Sequence, residues 1–189
     1  MTGISSNAAV TELALAAGRG DRRAAAAFVA ATQRDVWRFL AHLSGAAEAD
    51  DLTQETYLRA LRSLPTFAGR SSAATWLFTI ARRVAADQVR AAASRPRLVG
   101  GSDWNKAAGT GRTDEAARFE GSVVLRHLLD GLSTDRREAF VATQVLGLSY
   151  EEAARVCDCP VGTIRSRVAR AREDLLTAMA EPPRRLRAI

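Results

Sequence analysis

Cysteine and histidine are scarce in this sequence, which contains Cys157, Cys159 and two histidines, His42 and His127. So few thiols favour a reducing cytoplasm over a disulfide framework. A structural zinc site needs four ligands, and no nearby histidine adds to the two cysteines. Neither histidine lies close in the sequence to a plausible nucleophile. We therefore expect no metal site, no cofactor and no catalytic residues.

Long apolar runs and nucleotide-binding motifs are also missing. Arginine, threonine or glutamate interrupts the apolar segments well short of the length of a membrane span. Segment 1–21 has no basic residue ahead of its apolar stretch and carries Glu12 inside it, which is unlike a signal peptide. There is no Walker loop and no dinucleotide-binding glycine motif. The sequence thus predicts a cytoplasmic protein that is not an enzyme and has no membrane association.

Lysine is nearly absent, since Lys106 is the one lysine among 27 basic residues. The net charge is +6 and the isoelectric point is near 10.5. An excess of alanine and arginine is typical of a GC-rich coding sequence, so basicity alone is weak evidence of nucleic-acid binding. The distribution of charge is more informative, because residues 114–181 carry more acidic than basic groups. A DNA-binding surface in that part of the chain must be a local cluster.

Helix-forming residues are abundant, and apolar residues recur three and four positions apart. Segment 94–113 differs, because it holds Pro96 and four glycines without apolar periodicity, which predicts a flexible linker. We expect an all-α fold with one helical domain at 1–93 and a second at 114–189 that ends in a basic tail. Trp104 in the linker is interpreted as a local packing contact or a docking contact with a partner.

Local signals give approximate helix positions and caps. Helices are predicted at about 10–17, 22–43, 50–63, 73–92, 115–130, 134–146, 150–157 and 161–179. Asp21, Asp50 and either Ser71 or Ser72 are the expected N-caps. The predicted core face of helix 50–63 consists of Leu52, Thr56, Tyr57, Ala60, Leu61 and Leu64.

The stretch 148–175 is the most informative part of the chain. Ser149 and Glu152 have the spacing of a capping box, which starts a helix. Asp158 and Pro160 end that helix early, and Pro160 suits the first turn of the next one. Two helices joined by so short a turn are typical of a helix-turn-helix.

The second helix of this motif suits the major groove of DNA. At 100° per residue, one face is apolar, small polar residues lie opposite, and arginines occupy both shoulders. Such a surface can meet base edges at its centre and phosphates at its sides. The predicted DNA-binding residues are Thr163, Arg165, Ser166, Arg167, Arg170 and Arg172. Arg170 is the best candidate for a bidentate guanine contact. The alternative is a solvated helix whose arginines pair with Glu173 or Asp174.

These residues carry a resemblance to a known family. Together with the upstream LDGLSTDRREAFVATQVLGLSYEEAA, the stretch closely resembles the fourth conserved region of bacterial sigma factors of the extracytoplasmic-function subfamily. ADDLTQETYLRAL resembles the polymerase-binding helix of that family, and FAGRSSAATWLFTIARRVAADQVR resembles its segment that melts and reads the minus-10 element. The resemblance implies an alternative sigma factor that binds core RNA polymerase and directs promoter recognition, melting and transcription initiation. It implies double-stranded minus-35 DNA and single-stranded minus-10 DNA as partners, and an anti-sigma factor as a further possible partner.

Helix 50–63 carries the outward stripe that would bind polymerase. From the residues alone, a solvated face is the simpler explanation of the stripe. The resemblance implies that it grips a coiled coil of the largest polymerase subunit. The residues concerned are Asp51, Gln54, Glu55, Leu58 and Arg62.

Helix 73–92 and the loop before it suit single-stranded DNA, because arginine follows a backbone while aromatic faces and small polar groups hold unstacked bases. The predicted minus-10 residues are Phe67, Arg70, Ser71, Ser72, Trp76, Thr79, Arg82 and Arg83. A packing role for Phe67 and Trp76 stays open. The resemblance implies a base flipped from the non-template strand into a pocket here. Arg83 replaces an asparagine that is frequent in the family, and since arginine offers only donors, we expect a changed base preference or a phosphate contact.

Two other functions stay open from the sequence. A stand-alone helix-turn-helix repressor or activator would bind a palindrome as a dimer without polymerase. A small helical enzyme would hold perturbed carboxylates in a buried polar pocket.

Overall fold

A computed structural model describes residues 7–94 and 125–180, and every regular element in these ranges is helical. The first range holds α1 (Asn7–Gly18), α2 (Arg22–Ser44), α3 (Ala46–Ser63), a 3-10 turn (Leu64–Thr66) and α4 (Ala73–Ser94). The second holds α5 (125–130), α6 (Thr134–Phe140), α7 (Tyr150–Cys157) and α8 (Val161–Ala180). The predicted all-α fold with two helical regions is confirmed. The predicted linker beyond Ser94, with Trp104, and the basic tail lie outside the described residues.

The helices begin where short polar side chains satisfy free backbone donors. The Asp21 carboxylate accepts from two backbone N–H groups of the first turn of α2, at 2.8 and 3.0 Å. Ser72 caps α4 through the N–H of Thr75 at 3.2 Å. Ser149 and Glu152 form the reciprocal capping box of α7, at 3.1 and 3.0 Å. These predicted caps are confirmed.

The prediction that Asp50 caps the third helix is wrong. Helix α3 begins four residues earlier, at Ala46, because Gly45 reverses the chain directly after α2 with φ of 101°. A positive φ is accessible to glycine without steric cost, so one residue suffices for the turn. Asp50 lies inside α3, where its carboxylate accepts from the Trp37 indole N–H at 2.8 Å.

The helix predicted at 134–146 changes its winding part of the way along. Helix α6 ends at Phe140, and residues Val141–Val145 form a π-helical turn. The N–H of Leu146 closes this turn on the carbonyl of Val141 at 3.0 Å. A π-helical turn holds more residues than an α-helical turn, because its hydrogen bonds close over five positions instead of four. Apolar spacings of three and four therefore do not reveal it.

The core of the first range packs α1 to α4 around large apolar side chains. Phe28, Phe39 and Leu77 are fully buried, and Phe39 meets Phe78 edge to face with ring centroids 5.4 Å apart. Burial of each such side chain contributes about 1.5–3 kcal/mol. The prediction that Leu61 belongs to this core is wrong. It is 41% exposed, because α3 packs through Ala60 and other residues of its narrower buried face.

The apolar side chains of the second range belong to the same continuous core as those of the first. Leu129 of α5, Val156 of α7, and Ile164 and Val168 of α8 are buried in it with little exposure. Packing against α6 and α7 holds α8 in place along its inner face.

Candidate nucleic-acid and polymerase interfaces

The turn between α7 and α8 is short and sharply defined. Asp158 ends α7 in the left-handed conformation, with φ of 52°, and donates its N–H to the carbonyl of Ala154. The carbonyl of Pro160 then accepts from the N–H groups of Thr163 and Ile164, at 2.9 and 3.2 Å, and so starts α8. The predicted helix-turn-helix is present.

Helix α8 divides into a buried and an exposed face. Ile164, Val168, Ala171 and Leu175 are buried, which confirms the predicted inner stripe. On the outer face four of the predicted DNA-binding residues are exposed, and Thr163 is half-buried with its carbonyl accepting from the Ser166 hydroxyl at 3.0 Å. The exposed four are Arg165, Ser166, Arg170 and Arg172.

The arginines of α8 differ in how their guanidinium groups are engaged. Arg167 pairs with the carboxylate of Asp135 at the start of α6. Arg172 donates to the Gln144 side chain at 2.8 Å. Arg165 and Arg170 make no hydrogen bond or ion pair within 7–94 and 125–180. The two free guanidinium groups can therefore approach an external acceptor without breaking an internal contact.

The predicted minus-10 residues lie along α4 and the loop before it. The rings of Phe67 and Trp76 are half-buried, with their centroids 4.9 Å apart and their planes at 40°. Both side chains therefore pack against the core while part of each stays exposed. Arg70 and Arg83 are exposed, and Ser71 is half-buried. The structure brings this set together at one end and along one face of α4.

The face of α4 that carries Arg82 also contacts the second helical region. The Arg82 Nε donates to the Glu138 carboxylate of α6 at 2.7 Å, and the two side chains are 25% and 8% exposed. Burial lowers the pKa of the Arg82 guanidinium, and the hydrogen bond and charge of Glu138 raise it by more, so the guanidinium stays ionised. Sequence reasoning missed Glu138, because its partner is 56 positions away.

A second carboxylate on this contact is Glu152 of the capping box. It accepts from the Asn7 amide at 2.9 Å and from the hydroxyls of Ser72 and Thr75 at 3.4 Å each. Burial raises the pKa of Glu152, but hydrogen bonds from Ser149, Ser72 and Asn7 outweigh burial and hold the pKa below its usual value. The two carboxylates thus join the predicted minus-10 surface to the helix-turn-helix.

The predicted polymerase-binding stripe lies on the outer face of α3. Asp51, Gln54 and Arg62 are exposed, Leu58 is 52% exposed, and Glu55 is half-buried with its carboxylate 2.6 Å from the Arg59 guanidinium. Leu61, misplaced in the core above, is a second exposed leucine one turn from Leu58. Leu61 follows Leu58 by three positions, and on a helix this spacing places two side chains on the same face, so the sequence already carried the signal. The stripe therefore offers two apolar side chains within a polar rim.

The cysteines are not arranged as a reactive or metal-binding pair. Burial, together with the charge of Glu138, raises the pKa of the Cys157 thiol to about 12. Within the described ranges, no group of three potential ligands is close enough to hold a metal ion. No helix within residues 7–94 and 125–180 is both long and apolar enough to cross a membrane.

Comparison with known proteins agrees with this geometry. Residues 28–95 match the family model described as Sigma-70 region 2, and residues 122–175 match that described as Sigma-70, region 4. The ECF RNA polymerase sigma factor SigC of Mycobacterium tuberculosis is 55% identical over 178 residues, which cover 94% of this chain and 95% of that protein.

Two solved structures also have a similar fold. CnrH in complex with the cytosolic domain of CnrY aligns with a TM-score of 0.70 and 27% identity, over 90% of this chain and 97% of that one. The sigma factor RpoE of Bartonella quintana, in complex with the anti-sigma factor NepR, aligns with a TM-score of 0.61 and 29% identity, over 80% and 93%. The chain therefore belongs to the extracytoplasmic-function subfamily of bacterial RNA polymerase sigma factors, which bind core RNA polymerase and direct it to promoters.

Proposed function

We propose that α8 reads the minus-35 element in the major groove. The carrying observation is that α8 follows a three-residue turn, is anchored by four buried residues, and leaves Arg165 and Arg170 exposed and unpaired within the described chain. Arginine bonds guanine O6 and N7 bidentately, which makes Arg170 the main candidate for base readout. Thr163, Ser166, Arg167 and Arg172 lie on the same side of α8, and of these Arg167 is paired with Asp135.

The minus-10 element is proposed to bind along α4 and the preceding loop. Exposed Arg70 and Arg83 suit phosphates, and the half-buried Phe67–Trp76 pair suits stacking on an unpaired base. Ser71, Ser72, Thr79 and Arg82 belong to the same proposed surface.

In the arrangement described here, part of that minus-10 surface is occupied. Arg82 and Ser72 hydrogen-bond carboxylates of the second helical region, so neither is free to meet a base or a phosphate. We therefore expect weak promoter binding by the chain alone, and selective binding once core polymerase is present.

Core polymerase is proposed to dock on the outer face of α3. Asp51, Gln54, Glu55, Leu58 and Arg62 form that face, and the exposure of Leu58 beside Leu61 supports an apolar centre with a polar rim. This face makes no use of the residues that read DNA, so polymerase and promoter can bind together.

We also propose a role for each segment of the chain and a cellular location. Residues 1–93 would bind polymerase and the minus-10 element, 94–113 would link, and 114–189 would bind the minus-35 element. The chain would act in the cytoplasm as a non-enzymatic subunit. An anti-sigma partner is proposed because a structural relative was solved with one.

Transcription in vitro tests the proposed function. Purified core polymerase and this chain are combined on a library of promoter fragments, with core polymerase alone as the control. We expect specific initiation only when the chain is present. Failure to initiate on any fragment, or tight dimeric binding to a palindrome without polymerase, would instead favour the repressor.

A further inference from the structure

We propose that Asp135 limits the electrostatic affinity of α8 for DNA, because it withholds the Arg167 guanidinium from the phosphate backbone. The inference rests on the proposed function of α8. It goes further, since it separates Arg165 and Arg170, whose guanidinium groups are unpaired in the described chain, from Arg167, which carries its own counter-ion.

The contacts of Arg167 use both terminal nitrogens of its guanidinium. Its Nη2 donates to the Asp135 carboxylate, and its Nη1 donates to the Cys159 sulfur at 3.6 Å. The Arg167 side chain is only 22% exposed, whereas Arg165 and Arg170 stand free on the exposed face. With both terminal nitrogens engaged and little of its side chain exposed, the Arg167 guanidinium offers fewer free N–H donors to a phosphate than Arg165 or Arg170 does.

The position of Asp135 makes this pairing independent of α8 itself. Asp135 lies in the first turn of α6, and α6 is tied to α8 a second time by Arg136 and Asp174, at 2.5 Å. The Asp135 carboxylate therefore reaches Arg167 from a different helix.

Salt dependence gives this pairing a measurable consequence. A protein releases DNA counter-ions in proportion to the phosphates that its cations neutralise, with a slope of about 0.9 in log affinity against log salt per phosphate. An arginine already neutralised by a carboxylate adds little to that count. Phosphate contacts carry no sequence information, so withholding one lowers binding to all sequences alike.

A different role for Asp135 makes the opposite prediction. A carboxylate that merely aims an arginine at a phosphate would strengthen binding, and its loss would weaken affinity and flatten the salt slope. The sign of the change therefore distinguishes withholding from aiming.

The test uses the full chain bound to core polymerase and Asp135→Asn, which keeps side-chain size and removes the charge. The probes are a duplex carrying a minus-35 element selected by the wild-type holoenzyme, without a minus-10 element, and a scrambled duplex of equal length and composition. Affinity is measured by fluorescence anisotropy between about 50 and 200 mM salt. Asp174→Asn is the matched control, because it changes the net charge equally and breaks the neighbouring α6–α8 pair, whose arginine lies on α6.

We expect Asp135→Asn to steepen the salt slope by about one, so that the affinity for either duplex rises about three- to fourfold more at 50 mM than at 200 mM salt. The preference for the selected duplex should stay unchanged, and adding Arg167→Ala to Asp135→Asn should restore the wild-type slope. A slope equal to that of Asp174→Asn, or a flatter one, overturns the inference. If the wild-type holoenzyme does not prefer the selected duplex at all, the proposed function of α8 fails instead.

Discussion

Replacing Arg82 by alanine is expected to destabilise the chain through the carboxylate that it leaves behind. Glu138 is 8% exposed and would lose the guanidinium that lies 2.7 Å from it. Removing one partner of a buried ion pair costs about 3–5 kcal/mol. Because Arg82 is itself 25% exposed, water screens part of this interaction, and we expect a loss of about 2–3 kcal/mol.

Urea unfolding followed by circular dichroism at pH 7 measures this loss. For a chain of this size, the same loss corresponds to a thermal midpoint lower by about 4–12 °C. Arg83→Ala is the matched control, since Arg83 is the next residue of α4 and is exposed without an ion pair in the described chain. We expect it to change the free energy of unfolding by less than about 0.5 kcal/mol.

A double replacement separates the pair from its surroundings. Arg82→Met with Glu138→Leu removes both charges while keeping similar volumes, and such exchanges are often neutral or stabilising. We expect the double variant to be within about 1 kcal/mol of the wild type. The reasoning is refuted if Arg82→Ala is as stable as Arg83→Ala, or if the double variant is less stable than Arg82→Ala.

Further predictions concern the other surfaces. Leu58→Ser should weaken binding to core polymerase at least about tenfold in a fluorescence titration, with little change in thermal midpoint. The control is Val89→Ser, which also replaces an exposed apolar residue and should bind normally. Equal affinities of the two variants would show that Leu58 is not part of the interface. The pKa of Glu152 is lowered in the folded chain, so its carboxylate stabilises the fold above its ordinary value of 4.5, and this stabilisation is lost as the pH falls through the lowered value. Glu152→Gln should therefore reduce the free energy of unfolding at pH 7 and make less difference in acid, and a pH-independent difference would contradict this. The pKa of the buried Cys157 thiol is raised to about 12, so Cys157 should react with iodoacetamide more slowly than half-buried Cys159. Mass spectrometry of the native chain measures both rates. Faster labelling of Cys157 would contradict its burial.

The local features of the fold were predictable because their causes are local. The capping box of Ser149 and Glu152, the cap at Asp21 and the inner stripe of α8 each depend on residues of a single helix and its cap. The start of α3 was not predictable in this way. Asp50 has the chemistry of a cap, but Gly45 already reverses the chain, and Trp37 from another helix takes the Asp50 carboxylate.

The candidate surfaces show the same difference between local features, which were predictable, and tertiary contacts, which were not. Spacing on a helix placed Arg165, Arg170 and Leu58 on exposed faces, because helical geometry alone fixes which residues share a side. It could not show that Arg167 and Arg82 are paired with carboxylates of α6, since those contacts depend on tertiary packing between distant segments. The sequence shows where the arginines are, and the structure shows which of them are already paired with a carboxylate.

Promoter selection from a library randomised at both elements tests most directly whether one chain carries two separate reading surfaces. Wild-type holoenzyme and holoenzyme with Arg170→Ala are each used to select bound fragments, which are then sequenced. We expect Arg170→Ala to relax the preference at one minus-35 position, at a cost of about 1–3 kcal/mol, and to leave the minus-10 preference unchanged. An unchanged minus-35 preference, or equal loss of preference at both elements, would contradict the account.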